Sequence, residues 1–474
     1  MRILHLGWGF SPWRRGGLIN YAEDLMAAQA ERGHSVAYFF SGRHYAGVSG
    51  PRLKRWRLRD VEMHEVVNGP IVSGLELGTR TPELELAEPR LEAGFRRVVR
   101  SFRPDVVHVQ ELLCLPSSLL DVAREEGVAT VMTLQDYFPL CSTLRLFDAD
   151  GRICERLDVG EECALRNADA PATREPFVAD TLHFEIARWH RRLRVGRVIS
   201  DELYDRIARH AFEWSMRRLA REAPYPAPRA AGPAFQRRRD ANVERLGRVG
   251  RLVAQSPRVA EIYAARGVAP ERMTTLRFTL AHIEHLRPRS LRSPPSPITF
   301  TTLGGCASPT KGSDVVVGAL RSLREAGLEG RFRLRVLGGI HDSVRRELED
   351  YRGVSLDELY EREQLDELLD DVDVGIMPSI WEEAFGYSGV EMLAKGIPLI
   401  ANPLGGIVEY AREGQTAWLN RSCDAQGLAA VMRTLIDEPE RVLDMHVRVV
   451  AARDDIVVPM ARHADAIEAV YRHS

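Results

Sequence analysis

The chain has 474 residues, 45% of them hydrophobic and 28% charged, a composition for two or three packed domains rather than a disordered or fibrous protein. Its 65 basic and 67 acidic side chains leave a formal net charge of −2, which argues against nucleic acid as a partner held by overall charge. No apolar stretch reaches the roughly 18 residues that span a bilayer. The six cysteines are scattered and no signal-peptide core opens the chain, so a cytoplasmic protein with reduced thiols is expected.

In chain order, residues 3–6 read as a first strand and residues 7–17 as a turn-rich loop ending in Gly16 and Gly17. Leu18, Tyr21, Ala22, Leu25, Met26 and Ala28 then recur at helical spacing, Gly33 stops the helix, and residues 35–40 form a second strand. This strand–helix–strand unit is the building block of a parallel sheet. The alternation returns at residues 105–109 and 129–134, with a helical segment at 116–126 between them.

Residues 174–251 break the pattern. They read as helix interrupted at 224–233, with eighteen arginines against ten acids. Solvated helical faces explain such a segment, and an approach to an anionic membrane surface or a phosphorylated acceptor is the alternative. Residues 287–297 hold four prolines in eleven positions, which suits neither a helix nor a central strand and marks a boundary. Beyond it, strands at 298–303, 333–337, 372–377 and 398–401 alternate with helices at 315–325, 365–369 and 387–394. The organisation is therefore a first parallel-sheet domain over 1–285 with a helical insertion at about 174–251, a linker at 286–297, a second such domain over 298–460, and a terminal helix within 461–474. Ligands of open parallel sheets bind outside the carboxyl ends of the strands, which puts a cleft between the domains.

Two segments carry chemistry. Gly304-Gly305-Cys306-Ala307-Ser308-Pro309-Thr310-Lys311-Gly312 is a glycine-rich turn feeding a helix. Such a turn aims backbone N–H groups at an anion, and Lys311 adds a point charge, so a phosphate or diphosphate fits. An ordinary turn with a surface lysine is the alternative. The P-loop spacing is missing, and Gly7 with Gly9 forms only part of a dinucleotide fingerprint because position 12 is proline. Lys54, Lys311 and Lys395 are the three lysines of the chain.

The second segment is residues 378–398, with Glu383 in a loop and Glu391 inside the following helix. A helical glutamate between Val390 and Leu393 is partly buried and needs a partner, for which a vicinal diol such as a ribose is suited. The N–H groups of Ala384, Phe385 and Gly386 lie beside Glu383 at the helix start.

This segment resembles the E-x7-E motif of glycosyltransferase family four, retaining enzymes of the two-domain GT-B fold. Downstream, Gly405-Gly406-Ile407-Val408-Glu409 and Glu413-Gly414-Gln415-Thr416-Ala417 are similar to the family's closing motifs. Upstream, residues 252–257 and 267–272 resemble its segments before the linker, and Gly16-Gly17 with residues 32–36 its amino end. The resemblance implies that Glu391 holds the nucleotide ribose, Glu383 meets the donor sugar hydroxyls, the N–H groups of Ala384, Phe385 and Gly386 help bind the sugar, and Lys311 binds the diphosphate. Gly16 and Gly17 border the cleft from the other domain. The implied reaction moves a sugar from a nucleotide-diphosphate sugar to a glycan, lipid-linked or small-molecule acceptor, with retention by front-face attack and without cofactor or metal.

Two departures stand out. Cys306 lies near the place of a family arginine that accompanies the lysine. In Thr133-Leu134-Gln135-Asp136-Tyr137, Gln135 stands where the family commonly has histidine, and glutamine carries no proton at neutral pH. The candidate catalytic set is Glu383, Lys311 and Gln135, with His108 and Asp136 on the acceptor side. Cys141, Cys154 and Cys163, with Cys114 upstream, lack a C-x-x-C pair and read as buried thiols rather than zinc ligands. The rival readings are a non-catalytic nucleotide-sugar or partner-binding protein on the same scaffold, and a GT-B epimerase or phosphorylase.

Overall fold

The computed structural model describes residues 1–47, 50–74, 77–148, 150–193, 228–357 and 360–474. The first sheet contains β1 (Arg2–Trp8), β2 (Ser35–Ser41), β3 (Arg52–Leu58), β4 (Val61–Val67), β5 (Val106–Val109), β6 (Ala129–Leu134), β7 (Arg251–Ala254) and β8 (Met273–Thr275). Its strand order is β3-β4-β2-β1-β5-β6-β7-β8. The second sheet contains β9 (Ile298–Leu303), β10 (Phe332–Leu337), β11 (Val354–Asp357), β12 (Val374–Met377), β13 (Leu399–Ala401) and β14 (Ala417–Leu419), in the order β11-β10-β9-β12-β13-β14. Two parallel sheets covered by helices make this a GT-B fold.

The apolar runs found in the sequence became the central strands because a parallel strand buries both its faces. β3 escaped that reading. Its residues Arg52, Leu53, Lys54 and Arg55 are exposed, and it pairs antiparallel with β4 at the sheet edge. Cations along an edge strand discourage further pairing. The helices Pro89–Phe102, Ala425–Asp437 and Glu440–Ala451 were also absent from the sequence-based elements. The linker stretch 287–297 forms no regular element. It is fastened to the second sheet by ion pairs from Arg287 to Asp366 and from Arg289 to Asp373, at 3.0 and 2.8 Å.

The two layers share one apolar cluster, running from Tyr21, Leu25 and Phe278 to Phe385 and Leu393. The terminal helix Met460–Tyr471 returns to the first sheet through a buried polar network. Tyr21 Oη and His463 Nε2 are 2.9 Å apart, Gln29 Nε2 donates to Tyr471 Oη at 2.9 Å, and the same hydroxyl lies 2.7 Å from His108 Nδ1.

That network corrects the expectation that His108 faces the acceptor side of the cleft. His108 is fully buried, its other nitrogen lies 2.8 Å from Thr133 Oγ1, and burial holds its pKa well below the usual imidazole value. It is a neutral core histidine that ties β5 to the terminal helix.

Residues 194–227 of the arginine-rich segment lie outside the described residues, and its described remainder is the helices Glu175–Leu193 and Pro228–Leu246. The second of these turns arginines inward. Arg238 is fully buried, hydrogen-bonds the Glu85 carboxylate and donates to the Phe138 carbonyl at 2.8 Å. Arg239 donates to the carbonyls of Leu140 at 3.0 Å and Arg156 at 2.7 Å, and Arg245 pairs with Asp121 at 2.8 Å. Where solvated faces were expected, Arg238 and Arg239 clamp the loop that follows β6, because a guanidinium satisfies several carbonyls that no helix or sheet caps. No helix among the described residues is long and apolar enough to cross a membrane.

Candidate active site

The layers face each other across a cavity of about 480 Å3 at the carboxyl ends of the strands, where parallel sheets place their loops. On the second-layer wall, β9 runs into the glycine loop and then the helix Ser313–Glu325. Gly312 closes that turn at φ +92°, and a Cβ there would lie 2.1 Å from the Pro378 carbonyl oxygen. Only glycine permits this approach, and it sets Lys311 against the Glu383 loop.

Lys311 Nζ donates to Glu383 Oε1 at 2.5 Å. The same oxygen accepts from Ser379 Oγ at 2.8 Å and Trp381 Nε1 at 3.0 Å. Oε2 therefore makes no hydrogen bond among the described residues. Burial pushes the Glu383 pKa up, but the Lys311 charge, the hydrogen bonds from Lys311 and Ser379, and the Arg145 charge outweigh it and hold the group below its ordinary value. Glu383 is an ionised carboxylate with one oxygen spent on the protein and one available.

Glu391 repeats the arrangement. It lies in the helix Tyr387–Ala394, and His282 Nε2 donates to its Oε1 at 2.8 Å. Oε2 again has no partner among the described residues. Between the two carboxylates, the N–H groups of Ala384, Phe385 and Gly386 donate to no other described residue. Beneath them, Gly405 and Gly406 let two loops touch. A Cβ on either would lie 2.1 Å from the Glu383 carbonyl oxygen or 2.3 Å from that of Ala384. Gly406 N donates to the Glu383 carbonyl at 2.6 Å.

The first-layer wall carries Gly16 and Gly17 at the start of the helix Gly17–Glu31. A Cβ on Gly17 would lie 2.7 Å from the Tyr387 ring, so the glycine permits contact between the layers. Gln135 Nε2 donates to the Gln110 carbonyl and to Gln110 Oε1, both at 3.2 Å, while its own Oε1 is buried without a partner. Asp136 Oδ1 accepts from Phe138 N at 2.7 Å and Oδ2 has no partner. Burial raises Asp136 and, together with the neighbouring Asp136 charge, raises Glu111 well above the carboxylate range.

Gly16, Gly17, Gln135, Asp136, Lys311, Glu383, Ala384, Phe385, Gly386 and Glu391 all line this cavity, whereas His108 does not. Sequence reasoning missed His282, Gln255, Tyr360 and Arg145. Each is a lone residue between elements, and no spacing marks it. Gln255 Nε2 donates to Tyr387 Oη at 3.2 Å, and Arg258 pairs with Glu382 at 2.6 Å, so both bridge the layers. Cys306 is fully buried, and burial pushes its thiol up to about 12, so this position contributes no charge. Cys141, Cys154 and Cys163 surround a separate small recess. Burial pushes the Cys163 thiol up to about 11. Among the described residues, no group of three or more His, Cys, Asp or Glu side chains is arranged to hold a metal ion.

Two parallel-sheet layers, with paired carboxylates and a lysine in the cleft between them, are the arrangement that the resemblance to GT-B glycosyltransferases implies. Residues 297–438 match the family model described as glycosyl transferases group 1, and residues 16–195 match the glycosyl transferase 4-like domain. The two matches fall one in each layer and support a GT-B glycosyltransferase of the GT4 type.

A Salmonella typhimurium protein described as a colanic acid biosynthesis glycosyltransferase is 27% identical over 187 residues, covering 36% of this chain and 45% of that protein. A D-inositol 3-phosphate glycosyltransferase of Catenulispora acidiphila is 27% identical over 273 residues, covering 54% and 64%. The matched region thus spans about half the length of these curated relatives. Among solved structures, sucrose-phosphate synthase from Thermosynechococcus elongatus superposes with a TM-score of 0.60 at 14% identity, covering 100% of this chain and 98% of that one. Anabaena HepE in complex with UDP gives 0.56 at 13% identity, covering both chains completely. At those identities the structures share the fold.

Proposed function

We propose that the chain transfers a sugar from a nucleotide-diphosphate sugar to an acceptor hydroxyl, with retention of configuration and without a metal. The observation that carries this reading is the pair of half-satisfied carboxylates, Glu383 and Glu391, set on either side of three unpartnered N–H groups, with Lys311 bound to Glu383. Glu391 Oε2 is free to accept from a ribose hydroxyl and Glu383 Oε2 from a sugar hydroxyl. The bond between the anomeric carbon and the diphosphate oxygen breaks, the acceptor oxygen attacks from the same face, and its proton passes to the departing phosphate. Charge builds on that phosphate, and Lys311 with the N–H groups of Ala384 to Gly386 meets it, which is electrostatic catalysis. Side-chain cations take the place a divalent metal fills elsewhere.

Relatives named for glycosyl transfer and the neighbour crystallised with UDP support a nucleotide-sugar donor. The acceptor is proposed to bind on the first-layer wall, where Gln135 and Asp136 line the cavity. The test is a thermal-shift screen of nucleotide-sugars on the protein and on Glu391→Ala, followed by assay of nucleoside diphosphate release with and without acceptors. A ligand selective for the folded state raises the midpoint, and the shift is expected to vanish in the variant. No shift with any donor overturns the reading. Donor binding without turnover on any acceptor would favour the binding-protein alternative, which Gln135 supports.

A further inference from the structure

We propose that Arg145, carried by the first layer, is the second cation of the diphosphate site and faces the same phosphates as Lys311. The inference rests on the reading of the cavity as a nucleotide-diphosphate sugar site. It starts from a shortage of charge. Lys311 is already bound to the Glu383 carboxylate, and the glycine loop that carries it has a neutral, buried thiol at Cys306. One shared ammonium is too little for a diphosphate that gains negative charge as it leaves.

Among the described residues, three arginine or lysine side chains line the cavity: Arg15, Arg145 and Lys311. Arg15 is half exposed and pairs with Glu361 at 3.1 Å, which keeps it at the rim. Arg145 reaches across to the opposite layer. Its Nη1 donates to Ser308 Oγ at 3.2 Å and to Thr310 Oγ1, both on the glycine loop, one and three residues from Lys311. The guanidinium carbon of Arg145 and Nζ of Lys311 each lie 5.3 Å from the centre of the Trp381 ring. The two cations therefore lie beside one aromatic ring next to Glu383, and the planar guanidinium matches a phosphate bidentately.

The backbone is built to hold Arg145 there. Leu144 and Leu146, on either side of it, adopt φ +66° and +49°, conformations that a leucine takes only when its surroundings impose them. The surroundings are specific. Tyr137 N donates to the Leu144 carbonyl at 3.0 Å and Cys154 N to that of Leu146 at 2.7 Å, while Arg238 and Arg239 grip the carbonyls of Phe138 and Leu140. This gives the inward arginines of the helix Pro228–Leu246 a purpose: they fix the loop that aims Arg145. Because the cation comes from the other layer, diphosphate binding and docking of the two layers are coupled.

The test is calorimetric titration of UDP, GDP, ADP and dTDP into the full chain and into Arg145→Ala, Arg145→Gln and Arg145→Lys. The matching nucleosides are measured by ligand-observed NMR. Whichever diphosphate the protein binds, Arg145→Ala and Arg145→Gln are expected to weaken it at least tenfold and leave the nucleoside within twofold, while Arg145→Lys recovers part of the loss. Where Arg145→Ala lowers the thermal midpoint of the ligand-free protein, the Gln and Lys pair carries the comparison. Diphosphate affinity within twofold in Arg145→Gln overturns this proposal and leaves the donor reading standing. Equal loss of diphosphate and nucleoside also overturns it, because the arginine would then only pack the loop. Failure of the unaltered protein to bind any of the four overturns both.

Discussion

The two walls of the cleft reach their chemistry by different routes. The second-layer wall is local: Lys311, Glu383, Ala384 to Gly386 and Glu391 come from two short stretches, and glycines at 312, 405 and 406 let those stretches touch. The first-layer wall is assembled from afar. Gly16 and Gly17 come from one loop and Gln135, Asp136 and Arg145 from the loop after β6, which Arg238 and Arg239 hold, while a helix at the far end of the chain ties down β5 beside them. A wall made of neighbouring residues keeps its charges paired and its spacing fixed. One assembled from distant loops depends on buried polar networks for its shape.

The contrast sets the expected order of damage. Lys311→Ala removes the cation proposed to meet the leaving group and is expected to lower kcat by about 10^3-fold with the fold intact; steady-state rates with a circular dichroism control check it. A loss below tenfold would break the assignment of that wall to catalysis.

Acidification should strike the first layer first. Burial pushes His5 and His463 down to about 4, and His108 is lowered as well. Between pH 6.5 and 4 the unfolded chain binds protons that these folded histidines refuse. Their contribution is therefore complete above pH 6.5 and lost as the pH falls toward 4, by about 3 kcal/mol per fully buried histidine. Glu383, whose pKa is lowered, keeps its charge through most of that window. Thermal midpoints across the range, with and without a His5→Asn variant, should show the slope and its reduction.

Glu391→Gln keeps the shape and removes the charge, and is expected to weaken nucleoside diphosphate binding by about 10- to 50-fold, the worth of a hydrogen bond to a charged group. Titration calorimetry reads this directly, and His282→Ala should cost less because it touches only the oxygen turned away from the ligand. The smallest effect expected is on the far support of the first wall. Tyr471→Phe removes the hydroxyl that joins Gln29 to His108 and is expected to cost about 1–2 kcal/mol in denaturant unfolding, with donor affinity unchanged.

What the amino-acid order determined by itself follows the same division. Alternating apolar strands and helical spacing foretold both parallel sheets, and β6, β9 and the helix Tyr387–Ala394 match the expected residues. Glu383, Glu391 and Lys311 were legible as cavity residues because their placement depends on spacing within one loop or the start of one helix. The resemblance to glycosyltransferase family four added the roles that spacing alone leaves open. β3 was hidden because an edge strand guarded by cations has no apolar alternation to read.

Tertiary contacts settled the rest. Only packing shows that His108 is a buried partner of Tyr471, 363 residues further along the chain, rather than a group in the cleft. Only packing turns the arginines of 228–246 from an exposed cationic face into clamps, or brings Arg145 beside Lys311 and His282 onto Glu391. The physical reason is reach. Backbone periodicity acts over a few residues and leaves its mark in the sequence, whereas a charge or hydrogen bond finds its partner wherever the fold places one.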